Sequence, residues 1–103
     1  MIKLCYCLRR APGTSREEFS RYWHDVHGPI GRRIPGLRRL VQVHAIDDGG
    51  YDGIAELWFD DLAALDAARR SPEWAASTAD EANFADGTSS MVTVGVEREI
   101  GEP

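Results

Sequence analysis

The feature that most constrains the fold of this chain is the order in which two hydrophobic patterns follow each other along its 103 residues. Short apolar or alternating runs, which are typical of strands, occupy residues 2–8, 37–46, 53–59 and 91–100. Apolar residues spaced three and four apart, which are typical of amphipathic helices, follow the first and the third of these runs. The patterns therefore predict the order β, α, β, β, α, β.

The first predicted helix carries the clearest local signals. Ser15 and Glu18 have the spacing of a capping box, in which each side chain bonds the backbone of the other residue. The apolar stripe of this helix is formed by Phe19, Tyr22, Trp23, Val26 and Ile30. Gly28-Pro29 should end the helix or distort its last turn, because proline lacks the N–H that the helix needs.

The second half of the chain predicts a hairpin, a broken helix and a last strand. Asp47-Asp48-Gly49-Gly50 is a turn sequence between the second and third strands. Asp60 or Asp61 can cap a helix that breaks at Ser71-Pro72 and resumes to about Phe84. We expect a loop at residues 87–90, followed by a strand with Val92, Val94 and Val96 on its buried face.

These elements predict an α+β fold of the ferredoxin-like type, with a four-stranded antiparallel sheet and the helices on one face. Residues 1–103 are expected to form a single domain. A domain of this length buries only roughly 60–65% of its unfolded surface, so association would stabilise it. The uncovered sheet face can pack on the sheet of a second copy, which predicts a homodimer.

Composition and charge exclude several classes of partner. The formal net charge is −5, and an acidic chain is unlike the basic proteins that bind nucleic acid. No apolar stretch approaches the roughly 20 residues of a membrane span and no signal peptide is evident, so we expect a cytoplasmic protein without membrane contact. Cys5 and Cys7 are expected to pack as small apolar groups on one face of the first strand.

One motif follows the first strand, the turn at residues 11–13 and the capped helix: residues 22–29 have the sequence YWHDVHGP. This stretch resembles the amino-terminal signature of the EthD domain, whose most specific part is the Trp-x-x-x-His-Gly-Pro pattern. Four further segments also resemble that family, namely VQVH at 41–44, YDGIAELWF at 51–59, SPE at 71–73 and DEANF at 80–84. The resemblance covers nearly the whole chain, and the short Gly- and Ser-rich join at 86–90 departs from it.

The resemblance implies the dimeric α/β-barrel variant of the ferredoxin-like fold. Proteins of that fold include cofactor-free monooxygenases, polyketide cyclases, isomerases, lyases and haem-degrading enzymes, so the fold alone does not choose the chemistry. EthD proteins are named from a role beside ether degradation, and they also occur with natural-product pathways of secondary metabolism. The resemblance therefore implies a small, largely apolar substrate.

Four side chains are candidates for catalysis. His27, at the end of the first helix, can exchange protons near neutral pH, or it can cap the last helical carbonyls. His44 can meet Glu56 across the hairpin, where a carboxylate would orient the imidazole, or the two can form a structural interface pair. Tyr6, on the first strand, can orient or protonate an enolate oxygen, or it can pack in the core.

Aromatic side chains are expected to line an apolar pocket between the sheet and the helices. The candidate substrate-binding residues are Trp23, Gln42, Trp58, Trp74 and Phe84. Aromatic residues at these spacings also serve as core. The pocket and the core remain alternatives for these residues at the level of sequence.

No metal or other cofactor is expected. His24 and His27 lie on one helix, but a zinc site needs three or four converging protein ligands. A haem held by a single histidine is a weaker alternative. The chain also carries no phosphate-binding or dinucleotide-binding glycine motif.

The leading hypothesis is a cofactor-independent enzyme that moves protons on a small hydrophobic carbonyl or phenolic, polyketide-like metabolite, as a cyclase, isomerase, dehydratase or lyase. In it, His27 and His44 trade protons while Tyr6 or Glu56 orients the substrate or an imidazole. One alternative is a cofactor-free monooxygenase that acts on an anthrone-like substrate. The other is a non-catalytic dimer that binds a small hydrophobic molecule.

Overall fold

The computed structural model describes residues 1–101. Its elements are β1 (Ile2–Arg10), α1 (Arg16–Tyr22), a π-helical turn (Trp23–His27), α2 (Gly28–Gly31), β2 (Arg39–His44), β3 (Gly53–Phe59), α3 (Leu62–Arg69), α4 (Pro72–Asp80), a 3-10 turn (Glu81–Asn83) and β4 (Ala85–Gly95). The predicted α+β class and the predicted order of strands and helices are confirmed. Within these residues no helix is both long and apolar enough to cross a membrane.

The four strands form one antiparallel sheet in the order β2-β3-β1-β4. This order is the ferredoxin-like arrangement, because the two strands that follow the helices flank a central pair. Leu4 of β1 lies opposite Leu57 of β3 on one side and Val94 of β4 on the other. These residues lie in an apolar row on the face against which the helices pack, which we call the inner face.

The core lies between the inner face and the helices. Phe19 and Trp23 from the first helical segment, together with Leu65 of α3, are at most 1% exposed and pack in one cluster with Leu4 and Leu57. Full burial of a large apolar side chain contributes about 1.5–3 kcal/mol to folding. This packing holds both the first helical segment and α3 to the inner face of the sheet.

The predicted helix caps are present. The Ser15 side chain accepts a hydrogen bond from the Glu18 backbone at 3.1 Å, and the Glu18 side chain accepts one from the Ser15 backbone. Asp61 caps α3, and Ser71 caps α4 immediately before a proline. The expected break at Ser71-Pro72 therefore separates two capped helices.

The last strand differs from the prediction. It runs from Ala85 to Gly95 rather than over 91–100, so it includes the expected loop. The register advances five residues along β4, from Asp86 to Met91, while it advances two along β1, from Arg9 to Cys7. The three extra residues form a bulge, so the turn-forming composition of residues 87–90 interrupts the pairing without ending the strand.

The expected burial of this strand is correct only in part. Val94 packs against the core, but the side chains of Val92 and Val96 are 51% and 65% exposed. Val92 lies opposite Tyr6 and belongs to β4, which is an edge strand of the sheet. Val96 lies beyond the end of the strand.

The opposite, outer face of the sheet carries mixed polar and apolar side chains. Cys5 and Cys7 both lie on it, as the alternation of β1 predicts, and both are free and half-buried. Lys3 forms an ion pair with Glu56 there, with Nζ and Oε2 3.2 Å apart. No helix of the described chain packs on this face, and Val43 of β2 remains 46% exposed.

Candidate functional site

A partly enclosed cavity of about 210 Å³ lies between the inner face and the helices. All four strands and all but α1 of the helical segments contribute to its wall, which is mostly apolar. Its lining residues are Leu4, Tyr6, Leu8, Trp23, His27, Gly28, Gly31, Ile34, Leu40, Gln42, Ala55, Leu57, Arg69, Trp74, Ser77, Thr78, Glu81, Phe84 and Val92. A few polar groups in an apolar wall are typical of a small-molecule site.

The π-helical turn directs His27 into this cavity. The Gly28 N–H donates to the Trp23 carbonyl, five residues back, and Pro29 has no N–H to continue the regular helical ladder. The Gln42 side chain donates a second hydrogen bond to the same carbonyl at 2.9 Å. The wider turn leaves Val26 43% exposed, although the helical stripe predicted it to be buried, and places His27 on the inner side.

His27 is held by a carboxylate at the end of α4. Its Nδ1 lies 2.9 Å from Oδ2 of Asp80, and the two side chains are only 12% and 11% exposed. Burial opposes ionisation of Asp80, but hydrogen bonds from Tyr22, His27 and Asn83 outweigh it and lower the pKa of Asp80. An ionised carboxylate can only accept, so Nδ1 donates and Nε2 is the nitrogen left for a ligand.

Tyr6 and Glu81 form a second polar pair in the cavity wall. The Tyr6 hydroxyl donates to Oε1 of Glu81 at 2.8 Å. Burial raises the pKa of Tyr6 to about 12 and also raises the pKa of Glu81. Tyr6 is therefore a neutral phenol near pH 7, a form that donates hydrogen bonds to an oxygen.

The expected proton relay between His27 and His44 is not formed. His44 does not line the cavity and faces a shallow groove along β2. Its Nε2 is 2.9 Å from the Gln42 side-chain oxygen and its Nδ1 is 2.9 Å from the Ser20 hydroxyl, so both ring nitrogens have protein partners. Burial and then the neighbouring His24 lower the pKa of His44.

Two of the expected site residues lie on the wrong side of the sheet. Glu56 is opposite Val41, and His44 is opposite Gly53, so the expected contact between Glu56 and His44 is wrong. Trp58 is also on the outer face, where its ring lies beneath Lys3 at 4.8 Å and its Nε1 donates to Glu97. Neither side chain reaches the cavity.

The remaining predicted binding residues surround the cavity. Trp23, Gln42, Trp74 and Phe84 all line it. Trp23 and Phe84 are 1% exposed and also belong to the core, so for these two the alternatives of pocket and core both apply. Their role in substrate binding stays a prediction.

Sequence reasoning missed several polar residues of the site, and two of them, Asp80 and Glu81, form hydrogen bonds with predicted residues. They are adjacent at the end of α4, and their partners His27 and Tyr6 lie 53 and 75 residues away along the chain. Their only sequence signal was their place in the DEANF segment. Within residues 1–101, no three histidine, cysteine, aspartate or glutamate side chains converge as ligands for a metal ion.

Comparison with known sequences identifies one protein family. Residues 11–88 match the profile of the EthD domain. The match covers most of the chain and includes the π-helical turn, β2, β3 and the end of α4, which together build the cavity. None of the curated proteins matches the sequence at a significant level.

Comparison with solved structures agrees with the family match. An ethyl tert-butyl ether D (EthD) family protein from Bacillus halodurans C-125 is 26% identical, with a TM-score of 0.81 over 95% of this chain and 99% of that one. A dimeric protein of unknown function with a ferredoxin-like fold, from Bacteroides fragilis NCTC 9343, is 12% identical, with a TM-score of 0.69 over 90% and 92% of the two chains. The N63A mutant of SnoaB, a cofactor-independent oxygenase from Streptomyces nogalater, is 14% identical, with a TM-score of 0.70 over 96% and 94%. The similarities to the last two proteins, which are below 25% identity, show a shared fold only.

Proposed function

The chain belongs to the EthD family, and from that premise we propose that it is a cofactor-independent enzyme that transfers protons on a small hydrophobic carbonyl or phenolic metabolite. The reaction classes that this chemistry serves are cyclisation, isomerisation, dehydration and lyase-type cleavage. A polyketide-like metabolite of secondary metabolism fits the apolar wall. The cytoplasmic location stays a prediction from the sequence.

The observation that carries the proposal is the bond between His27 and Asp80 in the wall of an apolar cavity. A carboxylate that accepts from Nδ1–H fixes the imidazole tautomer and stabilises the imidazolium that forms when Nε2 takes a proton. Neutral Tyr6 on β1 supplies a donor for an oxygen of the same ligand.

The proposed step has two parts. Nε2 of His27 takes a proton from the carbon next to a carbonyl, and the electron pair of that C–H bond moves onto the oxygen as an enolate. In the free protein the single proton of the Tyr6 hydroxyl is donated to Glu81, and in the proposed step it is donated to the enolate oxygen instead. The imidazolium then returns its proton at the carbon or oxygen that the product requires, so the protein ends unchanged.

The test is deuterium uptake at the activated carbon of 2-tetralone in D₂O, followed by NMR. General base catalysis typically contributes about 10²- to 10⁴-fold, so His27→Gln should lose most of the enzyme-dependent rate. His24→Gln is the matched control, since the His24 side chain is 75% exposed on the same helical segment. Equal rates for the wild type and His27→Gln would overturn the proposal.

The same preparation separates the alternatives. If the protein consumes oxygen with an anthrone as substrate, and His27→Gln abolishes this consumption, the cofactor-free monooxygenase is favoured. Saturable binding of both compounds, with neither deuterium uptake nor oxygen consumption, would favour a non-catalytic binding protein. Aerobic and anaerobic reactions should give equal deuterium uptake if proton transfer is the whole reaction.

We further propose that the protein functions as a homodimer joined through the outer faces of two sheets, as in a dimeric α/β barrel. The exposed Val43 and the half-buried Cys5 and Cys7 give that face apolar area that no helix of the described chain covers. The Bacteroides fragilis neighbour is dimeric and has the same fold. The cavity lies on the other side of the sheet and would remain open in such a dimer.

A further inference from the structure

Arg69 gives the cavity a charged group that the proposed proton transfer does not use. It is the only lysine or arginine that lines the cavity within residues 1–101. Its guanidinium lies 5.9 Å from the ring centre of Trp74, which also lines the cavity. Among the described residues, ion pairs to aspartates are formed by Arg10, Arg16 and Arg38. Arg69 has no ion pair within residues 1–101.

The face of α4 shows how far this charge lies from the proton-transfer groups. Trp74, Ser77, Thr78 and Glu81 follow each other at helical spacing along one wall of the cavity. A rise of 1.5 Å per residue separates Trp74 from Glu81 by about 10 Å. Arg69 contacts the Trp74 end, and Tyr6 bonds Glu81 at the other end.

Between these ends α4 presents the hydroxyl groups of Ser77 and Thr78 to the cavity, and the rest of the cavity wall is mostly apolar. An apolar ligand body would match this wall, and a guanidinium without an ion-pair partner can bind an oxyanion such as a carboxylate with paired hydrogen bonds. Arg69 is exposed at the end of α3, so an acidic group bound there could stay partly in water. It also belongs to the helical layer, so a dimer joined through the outer face would leave it accessible.

We propose that the cavity binds an elongated carboxylic acid, with its reacting carbonyl or phenol oxygen at Tyr6 and Glu81 and its carboxylate at Arg69. The inference rests on the proposed function, because it assigns the two ends of the same ligand. It adds to that function the length of the ligand and the negative charge at one of its ends. Neutral ketones of similar size are then weaker ligands of the same cavity.

The test measures displacement of the neutral fluorescent probe N-phenyl-1-naphthylamine by 8-oxo-8-phenyloctanoate and by its methyl ester. The two competitors share the ketone and the apolar body, and they differ in the charge and the methyl group at the acid end. Since exposed ion pairs are modest and charge-assisted hydrogen bonds are stronger, the acid should bind about three- to tenfold more tightly than the ester. Arg69→Gln should remove this preference, and high salt should reduce it in the wild type.

Arg70→Gln is the matched control, because Arg70 is the next residue, is exposed and does not line the cavity. It should keep the preference for the acid. If both competitors bind with equal affinity to the wild type, or if Arg69→Gln keeps the preference, the inference is overturned while the proposed function stands. If neither the probe nor the competitors bind, the inference is overturned, and deuterium uptake by 2-tetralone decides the proposed function separately.

Discussion

His27 and Asp80 join the π-helical turn to α4, since Nδ1 of the imidazole lies 2.9 Å from a carboxylate oxygen at the end of α4. Asp80 accepts hydrogen bonds from Tyr22 and Asn83 as well, so its position is fixed from three sides. Asp80 does not line the cavity. It therefore acts on a ligand only through His27, as a positioning residue.

The first prediction concerns Asp80→Asn. Loss of the negative charge removes the stabilisation of the imidazolium, so kcat for deuterium uptake by 2-tetralone should fall by about 10- to 100-fold. KM should stay within about twofold, because Asp80 does not touch the ligand. Steady-state kinetics at several concentrations of 2-tetralone measure both constants.

The control for this variant is Tyr22→Phe. It deletes the 2.7 Å hydrogen bond from the Tyr22 hydroxyl to Asp80 and leaves the bond to His27 in place. We expect a loss of about 1 kcal/mol in the free energy of unfolding with little change in kcat. Equal losses of kcat in the two variants would contradict a specific role for the charge of Asp80.

The second prediction concerns the contact between Gly53 and Trp23. A β-carbon on Gly53 would overlap the six-membered ring of Trp23, which packs directly on the backbone at the start of β3. Because Trp23 is buried in the core, Gly53→Ala should lower the free energy of unfolding by about 1–3 kcal/mol. Urea denaturation measures the change.

Gly95→Ala is the matched control for a strand glycine. Gly95 lies in β4, and a β-carbon there would have no neighbour within 4 Å. Its free energy of unfolding should stay within about 0.5 kcal/mol of the wild type. If Gly53→Ala is as stable as this control, the packing of Trp23 in the core does not require a glycine at position 53.

The sequence predicted the features that depend on neighbours along the chain. The capping box of Ser15 and Glu18, the aspartate cap of α3 and the proline start of α4 are local patterns, and all are present. The strand order also followed, because few arrangements accommodate that succession of elements. The distortion before Pro29 was expected too, since a missing N–H has a local effect.

The features that could not be predicted depend on register and on distant contacts. Eight residues separate β2 from β3, and a change of one residue in their pairing would move Glu56 to the opposite face of the sheet. The bonds of Asp80 and Glu81 join residues more than 50 positions apart. No local pattern encodes such pairs. The sequence therefore predicted Glu56 as the carboxylate partner of His44, whereas the structure pairs Asp80 of α4 with His27.

The third prediction concerns Tyr6 at high pH. Its pKa is raised from about 10 to about 12 because burial disfavours the phenolate. Between these values the unfolded chain loses the proton and the folded chain keeps it, so the stability of the wild type should fall as the pH rises. Below about pH 10 both states keep the proton and this contribution is constant.

The measurement compares urea denaturation at several pH values from 9 to 12 for the wild type, Tyr6→Phe and Tyr51→Phe. Tyr6→Phe should show a smaller fall in the free energy of unfolding, since its unfolded state has one phenol fewer to ionise. Tyr51 lies outside the cavity and stacks on Arg9, which makes it the control. A fall of the same size in all three proteins would contradict the burial of the Tyr6 phenol.

The fourth prediction concerns the outer face of the sheet and uses two valines of similar exposure. Val43 lies on the outer face and is 46% exposed, whereas Val26 lies on the helical side and is 43% exposed. An arginine between two packed sheets would be desolvated without a partner, so Val43→Arg should dissociate the proposed dimer. Val26→Arg should leave it intact.

Light scattering at several protein concentrations tests this directly, because it gives the mass of the particle in solution. The wild type and Val26→Arg should have twice the monomer mass, and Val43→Arg should approach the monomer mass on dilution. If both variants keep the double mass, the second copy is bound elsewhere. If the wild type is a monomer at all concentrations, the outer face is not an interface between copies of this chain.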